Sequence, residues 1–567
     1  MGIINSVKRL TKEICVYKKA EFEIGIDADF NNGFDFDEIA LDIEFTAKSG
    51  KTYRHPAFLY KQYKPDQNGQ YTITDDSAPV WRARISPMEE GLHAAKMVLC
   101  EKGEVTDTYE FSFCAVANSD NRGFIGVEPI AKKSFVFANG EIFTPIGQNV
   151  CWGDKINWKE CSSPETLEMH KRILKKMHKY KANWTRFWIS ATWDTGFFNL
   201  NKNDRTDDFS GAFDRASRID DYIDILEEND MYACFVFFHH GMFNIGGANC
   251  DWHNNAFSDK SKHGYLTDAG DFFKNPRAIK DAKQYARYIS ARYGYSKNIF
   301  CWQHFNEVNF CDGDLDDIYE WHRIMTDFLR KNDAHGHMVT TSSGQNRYTL
   351  CFDPMFDFVA FHRYGRCQNV KLIAHEAYLS APYCDRPIMI EESGDNAYGI
   401  AVQPITLHQN LWVGIMGNTP ATAMEWFWDE RDRLGEKYDD PDYSYRGFKP
   451  IAEFAARIPR ADKKQRFVSY ERIAFNHKNA DVLGYCGEDY TYLWFYDKDY
   501  RADNPEVREI DSDTFELMID NGEYKFEWID TYTGEVLLTE TVMSKGKQIK
   551  HKTPVFTRDI ALAVEKL

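Results

Sequence analysis

The sequence predicts a multidomain protein in which a central (β/α)8 TIM barrel is flanked on each side by an all-β module. Three observations carry this. The chain has 567 residues, about four times the roughly 150 residues of a typical domain, so a single small module is excluded. From about residue 20 to 118, apolar and polar residues alternate in short runs separated by turns. From the loop Asn118–Gly123 to about residue 460, strand-like and helix-like patterns take turns, and the last hundred residues return to strands.

In the first module Leu41, Ile43 and Phe45 alternate with polar neighbours, Lys48–Lys51 supplies a turn, and Trp81, Ala83 and Ile85 alternate again, the period of a half-buried strand. The central helices are well marked. One begins at Ser163-Pro164 and carries Leu167, Ile173, Leu174 and Met177. A second places Ile219, Tyr222, Ile223 and Leu226 on one face. A third starts at Asn275-Pro276 and stops at Gly294, a cap residue, a first-turn proline and a terminal glycine. Apolar runs follow each of them, at Trp184–Ile189, Tyr232–Phe238 and Ile299–Phe305. Helix followed by strand, repeated, implies parallel strands with helical crossovers. In the last module Tyr524, Phe526 and Trp528 alternate before the turn at Asp530–Gly534.

Composition narrows the function. Hydrophobic residues make up 43% and aromatics 15%, with 14 Trp, 31 Tyr and 41 Phe, and the net charge is −18. Such a chain is not disordered, and its field repels phosphate-rich partners, so neither nucleic acid nor an anionic membrane is expected to bind. The first residues carry Lys8, Arg9, Lys12 and Lys18 without a leader-like apolar stretch, and no apolar run of membrane length occurs. Thirteen cysteines stand without CxxC or Cys/His metal spacing; an odd, scattered set fits reduced thiols. A cytoplasmic, soluble protein is expected, its self-association left open. Asp27, Asp29, Asn31 and Glu38 imitate a calcium loop, but Gly33 comes one place late for the required turn. No phosphate loop, dinucleotide fingerprint or HExxH motif is present, and no cofactor or metal is expected.

Working residues of (β/α)8 barrels lie where strands end at their C-terminal side. Here the runs end in Gln148-Asn149 with Trp152 beyond, in Arg186 among Trp184, Phe187 and Trp188, in His239-His240, in Asn306-Glu307, in Ser342-Ser343, in His362-Arg363-Tyr364, in Glu391-Glu392-Ser393-Gly394, and in Trp426 and Trp428. Two carboxylates at the ends of the fourth and seventh runs would face one another across the barrel mouth. That is the requirement of glycosidic bond cleavage, in which one carboxyl protonates the leaving oxygen and the other attacks the anomeric carbon.

The Asn298–Glu307 run, the His362-x-Tyr364 step, the Glu392-Ser393-Gly394 step and the Trp-rich eighth run resemble clan A glycoside hydrolases, closest to family 5. Pro56–Phe58, Trp81–Pro87, Phe135–Gly147, Asp271–Glu307 and Glu523–Gly534 extend the resemblance over nearly the whole chain. They match a bacterial group with an N-terminal β-sandwich of unassigned function and a small C-terminal β-domain. The resemblance implies an N-terminal β-sandwich over residues 1–125, a catalytic barrel over 126–460 and a C-terminal β-sandwich over 461–567. It implies Glu307 as acid/base, Glu392 as nucleophile and Asn306 as donor to the sugar 2-hydroxyl. Arg186 would keep the nucleophile ionised, Tyr364 would bond to it and His362 would sit near the acid/base. His239 or His240 would line the subsite, and Trp152, Trp426 or Trp428 would offer aromatic surface to sugar. Adjacent strand residues face opposite ways, so Glu392 rather than Glu391 is expected to point into the mouth. The expected activity is that of a retaining β-glycosidase working by double displacement on oligosaccharides or β-glycosides, in the exo sense expected of an intracellular enzyme meeting short glycans. An endo-β-glucanase or mannanase, and a glycan-binding barrel without catalysis, are the alternatives.

Overall fold

A computed structural model of the chain describes all residues except 75–76, 121, 152–162, 190–194, 200–201, 248, 345–348, 365–368, 395–402, 427–433, 436 and 469–471. Trp152 and Trp428 therefore lie outside the described residues.

The N-terminal part forms two sheets. One pairs Ile3–Arg9, Ala20–Asp27, Val80–Ile85 and Phe58–Tyr60; the other orders Ile14–Cys15, Glu104–Val116, Gly91–Glu101, Ile39–Thr46 and Thr52–Pro56. The two longest strands are joined by Lys102-Gly103, both with positive φ, the backbone that a tight hairpin with right-handed twist requires. Phe22 of the first sheet meets Phe111 and Phe113 of the second, with ring centroids 5.3 and 5.8 Å apart. Ile39, Leu41, Ile43 and Phe45 are all buried, as their alternation predicts.

The centre is built on parallel strands. Trp184–Trp188, Tyr232–His239, Ile299–Asn306 and Met338–Thr340 form one curled sheet; Ser342–Ser343, Val359–Tyr364 and Ile388–Gly394 form the next. Trp184–Trp188, Tyr232–His239 and Ile299–Asn306 are buried along their whole length, which explains why they read as near-continuous apolar runs rather than alternating ones. Parallel bridges join Gly147 to Trp184 and Ser393 to Glu425. The segment at 421–426 is bonded on its other side to the first run, through Thr422 N to Pro145 O (3.0 Å) and Asn149 N to Glu425 O (3.0 Å). Helices Ser163–Lys179, Phe213–Glu228, Pro276–Tyr293, Leu315–Asn332, Asn369–Ser380 and Gln403–Met416 lie between successive strands. The Pro276–Tyr293 helix starts as its sequence predicts: the Asn275 side chain accepts from Arg277 N and Ala278 N, and Gly294 ends it. Among the described residues no helix is long and apolar enough to cross a membrane.

The C-terminal part has a six-stranded sheet, Arg466–Phe467, Ala480–Cys486, Tyr490–Asp497, Asp559–Lys566, Gly522–Ile529 and Val536–Ser544 in spatial order, beside a three-stranded one. Tyr524, Phe526 and Trp528 are fully buried in its core. The Asp530 carboxylate accepts from Tyr532 N and Thr533 N, and Gly534 has φ +79°, so the predicted turn is fixed by an Asx bond and a glycine.

A single apolar cluster runs from the N-terminal sheets into the centre. Phe34 sits against Phe209, Phe213 and Tyr288, and Arg84 and Arg292 share Asp220, with N–O distances of 2.6 and 2.7 Å. Desolvation would raise it, but those two guanidiniums hold the Asp220 carboxyl down at about 2. At the other seam Trp412 stacks on Trp494 and His408 Nε2 lies 3.0 Å from Asp559. Removing a phenyl ring from a packed seam deletes contacts that the rigid strands around it cannot replace. Phe34→Ala is expected to cost about 3 kcal/mol of stability by chemical denaturation; a change under about 0.5 kcal/mol, typical of surface sites, would contradict this packing.

Candidate active site

The site is organised around a buried cation. Arg186, on the Trp184–Trp188 strand, is fully buried and reaches five side chains from three other segments. Its Nη1 donates to Glu392 Oε1 (2.7 Å) and Asn149 Oδ1 (3.2 Å); its Nη2 donates to Asn306 Oδ1 (2.7 Å) and Gln303 Oε1 (2.9 Å). Its Nε lies 3.6 Å from Glu391 Oε2. Desolvation works against the charge, and the two glutamates more than offset it, so the guanidinium stays ionised.

Glu392 is also contacted from the Val359–Tyr364 strand. The Tyr364 hydroxyl donates to Glu392 Oε2 (2.7 Å), and His362 Nδ1 lies 3.2 Å from the same oxygen and 2.9 Å from Glu307 Oε1. Burial alone would raise the Glu392 carboxyl; His362 and Arg186 overcome it and hold it at about 2. Burial likewise opposes the His362 charge, but Glu392 and Glu307 lift the imidazole to about 9. One oxygen of Glu307, one of Glu392 and a His362 nitrogen all lie within 4.8 Å of one another. Such a trio has the spacing to hold a cation, yet an imidazole charged at neutral pH has no lone pair to offer one.

Glu307 leaves its strand in the left-handed region, with φ 54° and ψ 48°, uncommon for a residue with a side chain and characteristic of functional turns. Its backbone N–H donates to Ser342 Oγ (3.2 Å). Gly344 packs so closely here that an added Cβ would lie 2.9 Å from Glu307 Oε1 and 2.4 Å from the ring of Phe310. Phe310 is 40% exposed and so presents an open aromatic face beside Glu307. Of the two adjacent histidines, His240 approaches Glu307, with Nδ1 3.4 Å from Oε2. His239 instead stacks on Trp188, centroids 5.4 Å apart. Burial and then the neighbouring His240 push the His239 imidazole down to about 3, so it is neutral. Trp188 in turn lies 5.4 Å from half-buried Trp426.

Thus Arg186, Asn306, Glu307, His240, His362, Tyr364 and Glu392 converge, His239 and Trp426 pack on Trp188, and Trp152 and Trp428 are outside the described residues. Glu391 departs from simple alternation. The Val359–Tyr364 strand pairs Phe361 with Ile390 and His362 with Glu392, so Glu391 is the extra residue of a β-bulge. It is therefore turned toward Arg186 as well; Gln303 Nε2 donates to its Oε2 (2.6 Å), and burial raises its carboxyl. Asn149, expected only as the polar end of the first run, proves to be a partner of Arg186; Gln303 was not among the sequence candidates. A glutamine inside an otherwise apolar buried run was the available signal for Gln303.

No family model matches the chain. A probable mannan endo-1,4-β-mannosidase A of Aspergillus clavatus is 26% identical over 193 residues, 30% of this chain and 51% of that protein. The chain thus spans about half the length of this curated relative. A putative glycoside hydrolase from Bacteroides vulgatus aligns over 98% of this chain and 100% of its own at TM-score 0.64 and 16% identity. A family 5 glycoside hydrolase from the same organism aligns over 78% and 94% at TM-score 0.51 and 13% identity. The chain shares the multidomain fold of these glycoside hydrolases.

The charge of His362 depends on its two carboxylates, and its pKa is raised on folding. Its stabilisation is therefore complete below 6.5 and lost as pH rises through about 9. The difference in unfolding free energy between the wild type and His362→Gln should be largest near pH 6 and shrink toward pH 9.5; a difference independent of pH would contradict the assignment.

Proposed function

We propose that this protein is a retaining β-glycosidase of clan A, family 5-like, with the reaction carried by Glu307 and Glu392. The observation that carries the reading is the pair of carboxylates with oxygens within 4.8 Å. Retaining enzymes hold their two carboxyls about 5–5.5 Å apart, whereas inverting ones leave about 6.5–9.5 Å for a water. The parallel strands and the bonds joining 421–426 to the first run support a (β/α)8 barrel over residues 126–460, with β-sandwiches over 1–125 and 461–567.

In the first step Glu392, kept ionised by His362, Arg186 and Tyr364, attacks the anomeric carbon. The bond to the leaving oxygen breaks as Glu307 gives that oxygen a proton. In the second, Glu307 takes a proton from water, which displaces Glu392 and regenerates the carboxylate. Asn306, oriented by Arg186, donates to the sugar 2-hydroxyl. His240 borders Glu307, Trp426 contributes sugar-facing surface, and Phe310 offers its face to the leaving group. Trp152 and Trp428 are assigned the same kind of aromatic contact. The favoured substrates are oligosaccharides or β-glycosides cleaved in the exo sense. The mannan endo-mannosidase relative favours a second reading, endo-acting cleavage of a mannan-type chain. Eleven free cysteines among the described residues support a reducing, cytoplasmic setting.

The test is release of p-nitrophenol from a panel of β-glycosides, with short manno-oligosaccharides alongside, by the wild type, Glu307→Gln and Glu392→Gln. One sugar should be turned over by the wild type and its turnover reduced at least ~10³-fold in both variants. In Glu392→Gly, azide should restore part of the rate. Sugar binding without any product would overturn catalysis in favour of a glycan-binding barrel, and full activity in Glu392→Gly would overturn the nucleophile.

A further inference from the structure

At the opposite ends of the parallel strands from Glu307 and Glu392, a cavity of about 440 Å³ opens, a volume in the range of small-molecule sites. Ile388, which begins the strand that carries Glu392, forms part of its wall. The turn before Phe135–Phe137, residues 381–386, the loop at Asn418-Thr419, the link from the last helix into the C-terminal sheets and Tyr485 supply the rest.

Its charge is unusual for this chain. Lys133, Arg386, Arg460, Lys463 and Arg466 line it against one carboxylate, Asp462, in a protein of net charge −18. The cations are held by neutral groups. Arg386 donates to the carbonyls of Phe352, Asp353 and Phe356 at 2.7–2.8 Å. Arg460 donates to those of Ile415 (2.9 Å) and Thr419 (3.3 Å), Arg466 to those of Lys463 and Gln465, and Lys133 to that of Cys384. The chain neighbours behave differently: Lys132 lies 3.8 Å from Asp385 and Lys464 2.8 Å from Glu488, while among the described residues the cations that face the cavity form no ion pair. Arg460 is 5% exposed, and its guanidinium lies 4.6 Å over the Tyr485 ring. Among the described residues, the Nε groups of Arg386 and Arg460 are both buried without an acceptor. Carbonyl dipoles orient a guanidinium but do not neutralise it, and a buried donor without an acceptor is costly.

We propose that this cavity binds a small molecule through an oxyanion, a phosphate or carboxylate group, at a site separate from the glutamate pair. Such a group accepts several charge-assisted hydrogen bonds at once, as guanidinium and ammonium donors require, and a neutral sugar does not.

The test is isothermal titration at low salt with inorganic phosphate, glucose 6-phosphate, glucuronate and glucose. The ligands are added to the full-length wild type, to the exposed-residue double variant Lys463→Gln/Arg466→Gln, to Lys133→Gln and to the control Lys550→Gln. Saturable binding of a phosphate or a carboxylate ligand is expected, weakened about tenfold or more in the double variant and in Lys133→Gln and unchanged in Lys550→Gln; the tighter of the two classes identifies the group. Absence of saturable anion binding, equal binding by the wild type and the cavity variants, or glucose binding as tightly as the anions would overturn the proposal. Because glycoside turnover is not the readout, failure here leaves the glycosidase reading untouched.

Discussion

Everything at the glutamate end depends on a guanidinium buried where water cannot reach it. A fully desolvated Arg186 is tolerable only if its donors meet acceptors and its charge meets counter-charge. The chain answers with Glu392 and Glu391 from one strand, Gln303 and Asn306 from another, and Asn149 from the first run. Each of these acceptors is fixed by its strand, so the cation sets the position of Glu392 and Asn306 together. The same cation, with His362, keeps Glu392 ionised despite burial, which is what a carboxylate nucleophile needs.

The sequence made the strand ends legible because buried parallel strands are apolar throughout, and a polar residue at their end stands out. Arg186, His239, Asn306, Glu307, His362 and Glu392 were all visible in this way. The helix beginning at Asn275-Pro276 and the buried Tyr524, Phe526 and Trp528 were legible for equally local reasons: a cap, a proline and a period of two. What escaped was set by geometry between segments. Strict alternation gave one inward glutamate, whereas the bulge at Glu391 brings a second toward Arg186; a bulge depends on strand pairing, which no single strand encodes. Likewise His239 and His240 are adjacent and chemically identical. Only the surrounding packing, Trp188 on one side and Glu307 on the other, separates them.

The two ends of the parallel strands carry opposite electrostatic designs. At the C-terminal ends, among the described residues, Arg186 and His362 are matched by carboxylates and amides, and the result is a fixed network around an ionised Glu392 and a charged His362. At the N-terminal ends arginines and lysines are held by carbonyls and, among the described residues, form no ion pair. The first arrangement suits bond breaking within a rigid frame; the second suits a ligand that brings its own negative charge.

The central claim, that Glu392 and not its neighbour forms a covalent bond to sugar, is tested most directly by incubating the protein with a 2-deoxy-2-fluoro β-glycoside carrying a good leaving group and reading its intact mass and peptide map. The account predicts a gain of one fluorosugar on the peptide that contains Glu391 and Glu392, fragmentation placing it on Glu392, and no gain in Glu392→Gln. An adduct on Glu391, or turnover of the parent glycoside with no adduct at either residue, would contradict it.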